Sequence, residues 1–268
     1  MIVYRSMDRQ TLDAAYNNSA AVADSDGYLT DWQRRSEALR TRIPDHLNLV
    51  YGDAPRARLD FFATNRTGAP TLLFFHGGYW LRNAKEGFSF IAEGPLAHGF
   101  NVAVAGYTLA PEATMESIVR EARTALHWLH DHLAALGRDP ERLYVSGWSA
   151  GGHLTAMLMD EPQVAGGLAI SGLFDLEPIR LCYLNEKLGL DAEEARRNSP
   201  LLNLPVRTAK LIVAYGADEL PERNANHANS RRRGAGAAFR ERSSKWPVAI
   251  IMPFSNSSHS RTAFWQRR

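Results

Sequence analysis

The sequence predicts an α/β protein: a mostly parallel central sheet with helices on both faces. Three observations carry this. Short apolar runs bounded by Gly, Pro and Asn recur along the chain, as buried strands do. Between them lie stretches whose apolar residues fall three and four apart, the spacing of a helix face. This alternation continues for most of the chain, so successive strands need crossover helices and lie parallel.

The elements follow in order. Residues 8–17 and 28–40 are rich in Ala, Leu and charged side chains and read as helices. Residues 47–51 and 58–63 read as short strands. TLLFF at 71–75 is a continuous apolar run before a Gly pair, the pattern of a buried strand. Residues 88–98 read as a helix ended by Gly99. NVAVA at 101–105 is the next strand. Thr114 suits an N-cap, and Ile118, Ala122, Ala125, Leu126, Leu129 and Leu133 share one face of the long helix behind it. A strand over 143–146, a helix over 150–160 and a strand over 167–171 follow. LIVAY at 211–215 and VAIIM at 248–252 are the last two strands.

Composition narrows the class. The chain has 268 residues, 45% hydrophobic and 22% charged, which excludes collagen-like and largely disordered chains. It is expected to form a single domain over 1–268. No run reaches the roughly 20 apolar residues of a membrane helix. The opening MIVYRSMDRQ lacks an apolar signal core, which predicts a cytoplasmic setting. Cys182 is the one cysteine, too few for a disulfide framework or a cysteine metal site, and it is read as an inert buried thiol. Charge is unevenly spread. Residues 223–268 hold ten of the 31 Lys and Arg but one of the 29 Asp and Glu, a net +9 against −7 for the rest. That segment also lacks leucine, and residues 223–245 show no clear apolar stripe. It is therefore an atypical basic C-terminal segment, of the kind a shifted reading frame near codon 223 would produce. The RRR run at 231–233 reads as solvated charge rather than a nucleic-acid site, because the body is acidic.

Two motifs carry chemistry. Gly147-Trp148-Ser149-Ala150-Gly151 has the G-x-S-x-G pattern, here between a predicted strand and a predicted helix. A serine on so sharp a turn has a strained backbone, so its close neighbours must be glycine, and its hydroxyl projects at a helix N-terminus. Out of that context the pattern is an ordinary glycine-rich turn. The second motif is His76-Gly77-Gly78-Tyr79-Trp80, directly after TLLFF. Acyl transfer builds negative charge on a carbonyl oxygen, and backbone N–H groups stabilise it where glycines let the chain come close. The predicted donors are the amides of Gly78, Tyr79 and Ala150. Tyr79, Trp80, Tyr107 and Trp148 either line an aromatic-friendly pocket or simply pack.

With these motifs in place, the chain resembles the α/β-hydrolase fold and, within it, the kynurenine formamidase (arylformamidase) group related to HGGG-type esterases. AAYNN at 14–18, HGGYW at 76–80, YTLAPE at 107–112 and GWSAGGHL at 147–154 carry the resemblance, with SGLFDLEPI at 171–179 and NSP at 198–200. It covers roughly residues 8–222. It implies an N-terminal helical lid (residues 1–45), a serine–acid–histidine triad, no metal and no cofactor.

Triad order in this fold is Ser, then Asp or Glu, then His. LIVAYGADELPE places Asp218 just after a strand, with Glu219 as the neighbouring alternative, and the family pattern favours Asp218. The histidine belongs in a loop after the last strand, which selects His259. His227 follows Asp218 too closely, and His153 and His76 sit on the elbow helix and the oxyanion loop. His127, His130 and His132 lie on the long helix as polar-face residues. His259 departs from the family pattern, which reads Asn-His-Phe with a helix after it. The expected activity is hydrolysis of a small aryl formamide or a short-chain carboxylic ester through an acyl-enzyme. The alternative is a hydrolase fold whose triad is disabled by the C-terminal segment, acting as a binder or inert. The expected partner is a small-molecule substrate, with no nucleic acid and no membrane; a homodimer is left open.

Overall fold

The computed structural model describes residues 1–21, 24–204, 209–216 and 219–220. VAIIM at 248–252 and the whole basic segment 223–268 lie outside them. The chain opens with an antiparallel hairpin, β1 (Ile2–Tyr4) and β2 (Met7–Asp8). Three helices follow: α1 (Arg9–Ala15), α2 (Asn18–Ala21) and α3 (Ser25–Arg42). Asp8 caps α1 by accepting from Thr11 N, which satisfies one of the orphan amides of its first turn. Next come β3 (Leu49–Val50), β4 (Arg58–Phe62) and β5 (Thr71–Phe75). After a 3-10 stretch, Lys85–Ala92, the chain forms α4 (Glu93–Ala97), β6 (Asn101–Ala105) and α5 (Met115–Leu133). Then β7 (Leu143–Trp148), α6 (Ala150–Met157) and β8 (Gly166–Ile170) alternate. Three short helices, α7 (Glu177–Leu181), α8 (Asn185–Leu188) and α9 (Ala192–Arg197), precede β9 (Lys210–Ala214).

Among the described residues seven strands build one sheet in the order β3-β4-β6-β5-β7-β8-β9. β3 pairs antiparallel with β4, and β4 antiparallel with β6, while the remaining pairs are parallel. The expected mostly parallel sheet is therefore present, with an antiparallel margin the alternation did not reveal. Strand alternation divides the core into two faces. Leu59, Phe61, Leu73, Phe75, Ala103 and Ala105 pack with α5 and α6 on one face. Phe62, Phe74, Val102 and Val104 pack with Leu39 of α3 and Phe88 on the other. The side chain of Thr114 caps α5 through Ser117 N, in keeping with the sequence pattern. The helix expected over 88–98 is instead a 3-10 stretch running into five residues of α4. Gly94 weakens it, and Pro95 lacks an amide and crowds the preceding turn. The strand expected over 47–51 shrinks to Leu49–Val50.

One polar cluster is buried beside this core. Asp60 on β4 is fully buried, and its carboxylate accepts from Lys85 Nζ at 2.7 Å and Asn48 N at 2.8 Å, and pairs with Arg40. Lys85 also reaches Glu86 and Asn48, each at 2.7 Å. Burial pulls the Lys85 ammonium below its ordinary value, while Glu86 counteracts this. The carboxylate joins α3, β4 and the 3-10 stretch. Asp60→Ala should cost about 3–5 kcal/mol, because it takes from Lys85 and Arg40 the buried carboxylate they share and leaves Lys85 only the exposed Glu86. Urea denaturation measures this; a loss under about 1 kcal/mol would mean the cluster relaxes to solvent.

Candidate active site

Strand order fixes where a site can form. From β5 the chain moves to β6 on one side and then returns to β7 on the other. The connections after β5 and β7 therefore diverge, and a crevice opens between their carboxyl ends. Register brings those ends level: Phe75 pairs with Gly147. The next residues on each strand are His76-Gly77-Gly78-Tyr79-Trp80 and Trp148-Ser149-Ala150. Two motifs some seventy residues apart are thus laid side by side.

Ser149 is the N-cap of α6, with φ 57° and ψ −113°, a region that non-glycine residues avoid. Its amide donates to Ile170 O at 2.7 Å, and its carbonyl accepts from His153 N at 3.1 Å. Its side chain makes no capping bond to its own helix. The sharpness of the turn depends on Gly151. A Cβ there would run into the carbonyl of Phe75, so only glycine lets α6 settle against the end of β5. Gly77 has a similar constraint from the other side. A Cβ on it would lie 3.1 Å from Ser149 Cβ and 2.7 Å from the Trp148 ring. The glycine loop therefore rests directly on the serine turn.

The loop itself is held in an unusual conformation. Gly78, Tyr79 and Trp80 have φ of 126°, 53° and 59°. For the two aromatic residues this costs of order 1–3 kcal/mol each. Gly77 O accepts from His76 Nδ1 at 2.9 Å and Asn83 Nδ2 at 3.0 Å. Gly78 O accepts from Leu81 N at 3.0 Å and Arg82 N at 3.2 Å. Each peptide unit is planar and trans, so fixing these carbonyls turns the Gly78 and Tyr79 amides the opposite way. Ala150 N–H stands in the first turn of α6, where no intrahelical acceptor exists. Tyr79 OH donates to Tyr16 O and accepts from Asn18 Nδ2, each at 2.9 Å. Sequence reasoning gave these two N-terminal residues no role; their signal, the AAYNN motif, served only the resemblance.

Trp80 and Tyr107 are fully buried and Tyr79 nearly so. These three pack rather than line a pocket. Trp148 is half-buried and meets Trp32 edge-on at 5.5 Å between ring centroids. Tyr107 OH donates to His76 O at 2.9 Å, and its ring stacks on the imidazole at 4.4 Å. Ser171, at the end of β8, has φ 51° and hydrogen-bonds Glu219. Glu219 also accepts from Gly216 N at 3.0 Å. Its carboxylate is thereby committed at the ends of β8 and β9, a pairing of two loops that sequence spacing does not reveal. Asp218 and His259 lie outside the described residues, so of the expected triad Ser149 alone is located. A cavity of about 1300 Å³ lies elsewhere, on the sheet face lined by Leu72, Phe74, Tyr144, Leu168 and Ile212. Cys182 is buried, which pushes its thiol up to about 11. Among the described residues, no group of three or more His, Cys, Asp or Glu is placed to hold a metal ion, and no helix is long and apolar enough to cross a membrane.

His127, His130 and His132 serve α5 as surface partners of Glu161, Asp131 and the Trp128 carbonyl. His76 and His153 are fully buried, and burial lowers both to about 4 from an ordinary 6.5. His153 Nε2 donates to Asn198 O at 2.7 Å. Both rings are thus built in as neutral groups. The unfolded chain takes up two protons as pH falls through about 6.5, and the folded chain resists until about 4. Stability is therefore complete above 6.5 and is lost as pH falls toward 4, by roughly 3 kcal/mol per histidine. Urea midpoints measured from pH 7.5 to 4.5 check this. A flat profile would mean that both rings can be protonated in the folded state.

Comparison with known proteins agrees with this fold. The BD-FAE family model matches residues 59–165. Kynurenine formamidase from Salmo salar is 30% identical over 236 residues, covering 81% of this chain and 78% of that one. The Danio rerio kynurenine formamidase is 28% identical, covering 82% and 80%. Among solved structures, a "putative thioesterase" from Silicibacter sp. TM1040 superposes with a TM-score of 0.76 at 31% identity, covering 83% of this chain and 86% of that one. An esterase from Thermogutta terrifontis, at 20% identity and TM-score 0.62, shares the fold. At that identity and coverage, the chain belongs to the kynurenine formamidase group of the α/β-hydrolase fold.

Proposed function

We propose that this chain hydrolyses a small aryl formamide or a short-chain carboxylic ester, with Ser149 as the nucleophile. The observation that carries this is the strained Ser149 turn seated against the glycine loop, with two loop carbonyls tied back. The relatives named kynurenine formamidase support the amide reading, and the esterase neighbour supports only the shared frame.

The mechanism runs through an acyl-enzyme. Ser149 Oγ attacks the substrate carbonyl carbon while His259 removes its proton. The carbonyl oxygen becomes an oxyanion held by the amides of Gly78, Tyr79 and Ala150. The tetrahedral intermediate collapses, and His259 returns the proton to the departing amine or alcohol. Asp218 holds the imidazole tautomer and stabilises its charged form. Water, deprotonated by His259, then attacks the acyl carbonyl; the C–Oγ bond to Ser149 breaks, His259 returns the proton to the serine oxygen, and the acid is released. No step calls for a metal or a cofactor. His76 and His153 are poor bases for this role, since burial and their carbonyl contacts keep both out of the reaction.

An inert or purely binding protein is the less favoured reading. Two aromatic residues at positive φ lower stability, and binding alone gives that strain no use.

Ser149→Ala should lower turnover of p-nitrophenyl acetate by about four to six orders of magnitude, because triad members act as a unit. Circular dichroism should be unchanged, and fluorophosphonate labelling should vanish. A variant that kept most of its activity would refute the nucleophile. His259→Ala should lower turnover nearly as far. If its rate stayed within tenfold of the parent while Ser149→Ala was dead, another base would have to serve the serine.

A further inference from the structure

The oxyanion loop is braced by a segment some sixty residues away in sequence. Three groups meet in a closed ring of hydrogen bonds. Asn18 N donates to Tyr16 O at 3.1 Å, Asn18 Nδ2 donates to Tyr79 OH at 2.9 Å, and Tyr79 OH donates to Tyr16 O at 2.9 Å. The phenol thus acts as donor and acceptor at once. Tyr16 caps the C-terminal end of α1 and is itself buried. α1 is fastened in turn: Leu12 is fully buried in the main core, and Asp13 accepts from Tyr183 N at 2.7 Å. The ring of bonds therefore hangs on an anchored element.

Tyr79 needs such an anchor. Its φ of 53° lies where a residue with a Cβ does not rest unaided. Relaxation toward negative φ would rotate the peptide unit on either side of Tyr79, and one of those units carries the Tyr79 amide. A rigid aromatic ring held at its far end opposes that rotation. We infer that Asn18 and the Tyr16 carbonyl are positioning groups for the oxyanion hole: they hold the Tyr79 phenol and, through its ring, keep the Gly78 and Tyr79 amides aimed during catalysis. This rests on the oxyanion role proposed above for those amides. It gives the N-terminal segment a part in the chemical step, in addition to any part in covering the site.

The test uses the full chain with p-nitrophenyl acetate. Tyr79→Phe removes one oxygen and keeps the packed ring; Asn18→Ala removes the donor from the other side. In each variant kcat should fall about ten- to hundredfold, less than the roughly hundred- to thousandfold cost of removing an oxyanion donor outright, with KM within about twofold. Affinity for a trifluoromethyl ketone, which adds the serine oxygen and needs the same amides, should fall in parallel with kcat. Affinity for the carboxylate product should not. The double variant should be no worse than the more impaired single one, because both changes break the same ring. Melting temperature and circular dichroism are read alongside. If Asn18→Ala fails to fold, Tyr79→Phe alone decides. Parental kcat in Tyr79→Phe overturns the inference, as do losses that multiply in the double variant, or a KM rise that accounts for the whole effect. None of these outcomes touches the serine reading, which stands or falls on Ser149→Ala and fluorophosphonate labelling.

Discussion

The contact between the first turn of α6 and the carbonyl end of β5 is the constraint on which the site depends. Gly151 is the point of closest approach, and no side chain fits there. Because the helix settles so far down, the chain leaving β7 must turn within a single residue, and Ser149 takes a backbone conformation it would otherwise avoid. The same closeness carries the loop after β5 across the serine, with Gly77 against Trp148. A methyl group at either glycine would lift the helix or the loop, and the two halves of the site would separate. Sheet order supplies the gap between diverging connections, and glycine supplies the fit.

Several of the strained residues lie near this contact. Tyr79, Trp80, Ser149 and Ser171 all have positive φ. Such strain persists only where surroundings over-determine it. Here the surroundings are a dense apolar core and a set of specific bonds. Burial of a large side chain contributes of order 1.5–3 kcal/mol, so the fully buried Trp80 alone offsets much of the loop's strain. Hydrogen bonds then choose among the conformations that packing allows. His76 and Asn83 share one loop carbonyl, and Tyr107 takes another. Buried histidines suit this task because a neutral imidazole can donate from one nitrogen without bringing charge into the core.

The parts of this architecture written in local pattern are legible in the amino-acid sequence alone. TLLFF is buried on both sides because it lies at the centre of a parallel sheet, and its run of apolar residues says so. The long helix α5 shows its buried face in its spacing. The serine and glycine motifs stand out because chemistry restricts which residues fit there. Features that depend on distant pairing are not legible. The helix expected over 88–98 is lost to Gly94 and Pro95, whose local cost outweighs the apolar stripe. The helices α7, α8 and α9 are each too short for a period to show. The meeting of Asn18 with Tyr79, and of Ser171 with Glu219, spans 61 and 48 positions and leaves no trace in spacing. Asp218 and His259, read from the order of strands and loops, lie outside the described residues.

The solitary thiol of Cys182 has a practical use. It is enclosed by the core, and burial keeps it protonated well above neutral pH. Thiolate is the reactive form, so alkylating reagents meet an inert protein while the fold is closed. Each opening of the 177–190 region bares the sulfur and restores ordinary reactivity. Cys182 is therefore a built-in clock for local unfolding, read by mass from one alkylation event per chain and needing no engineered probe.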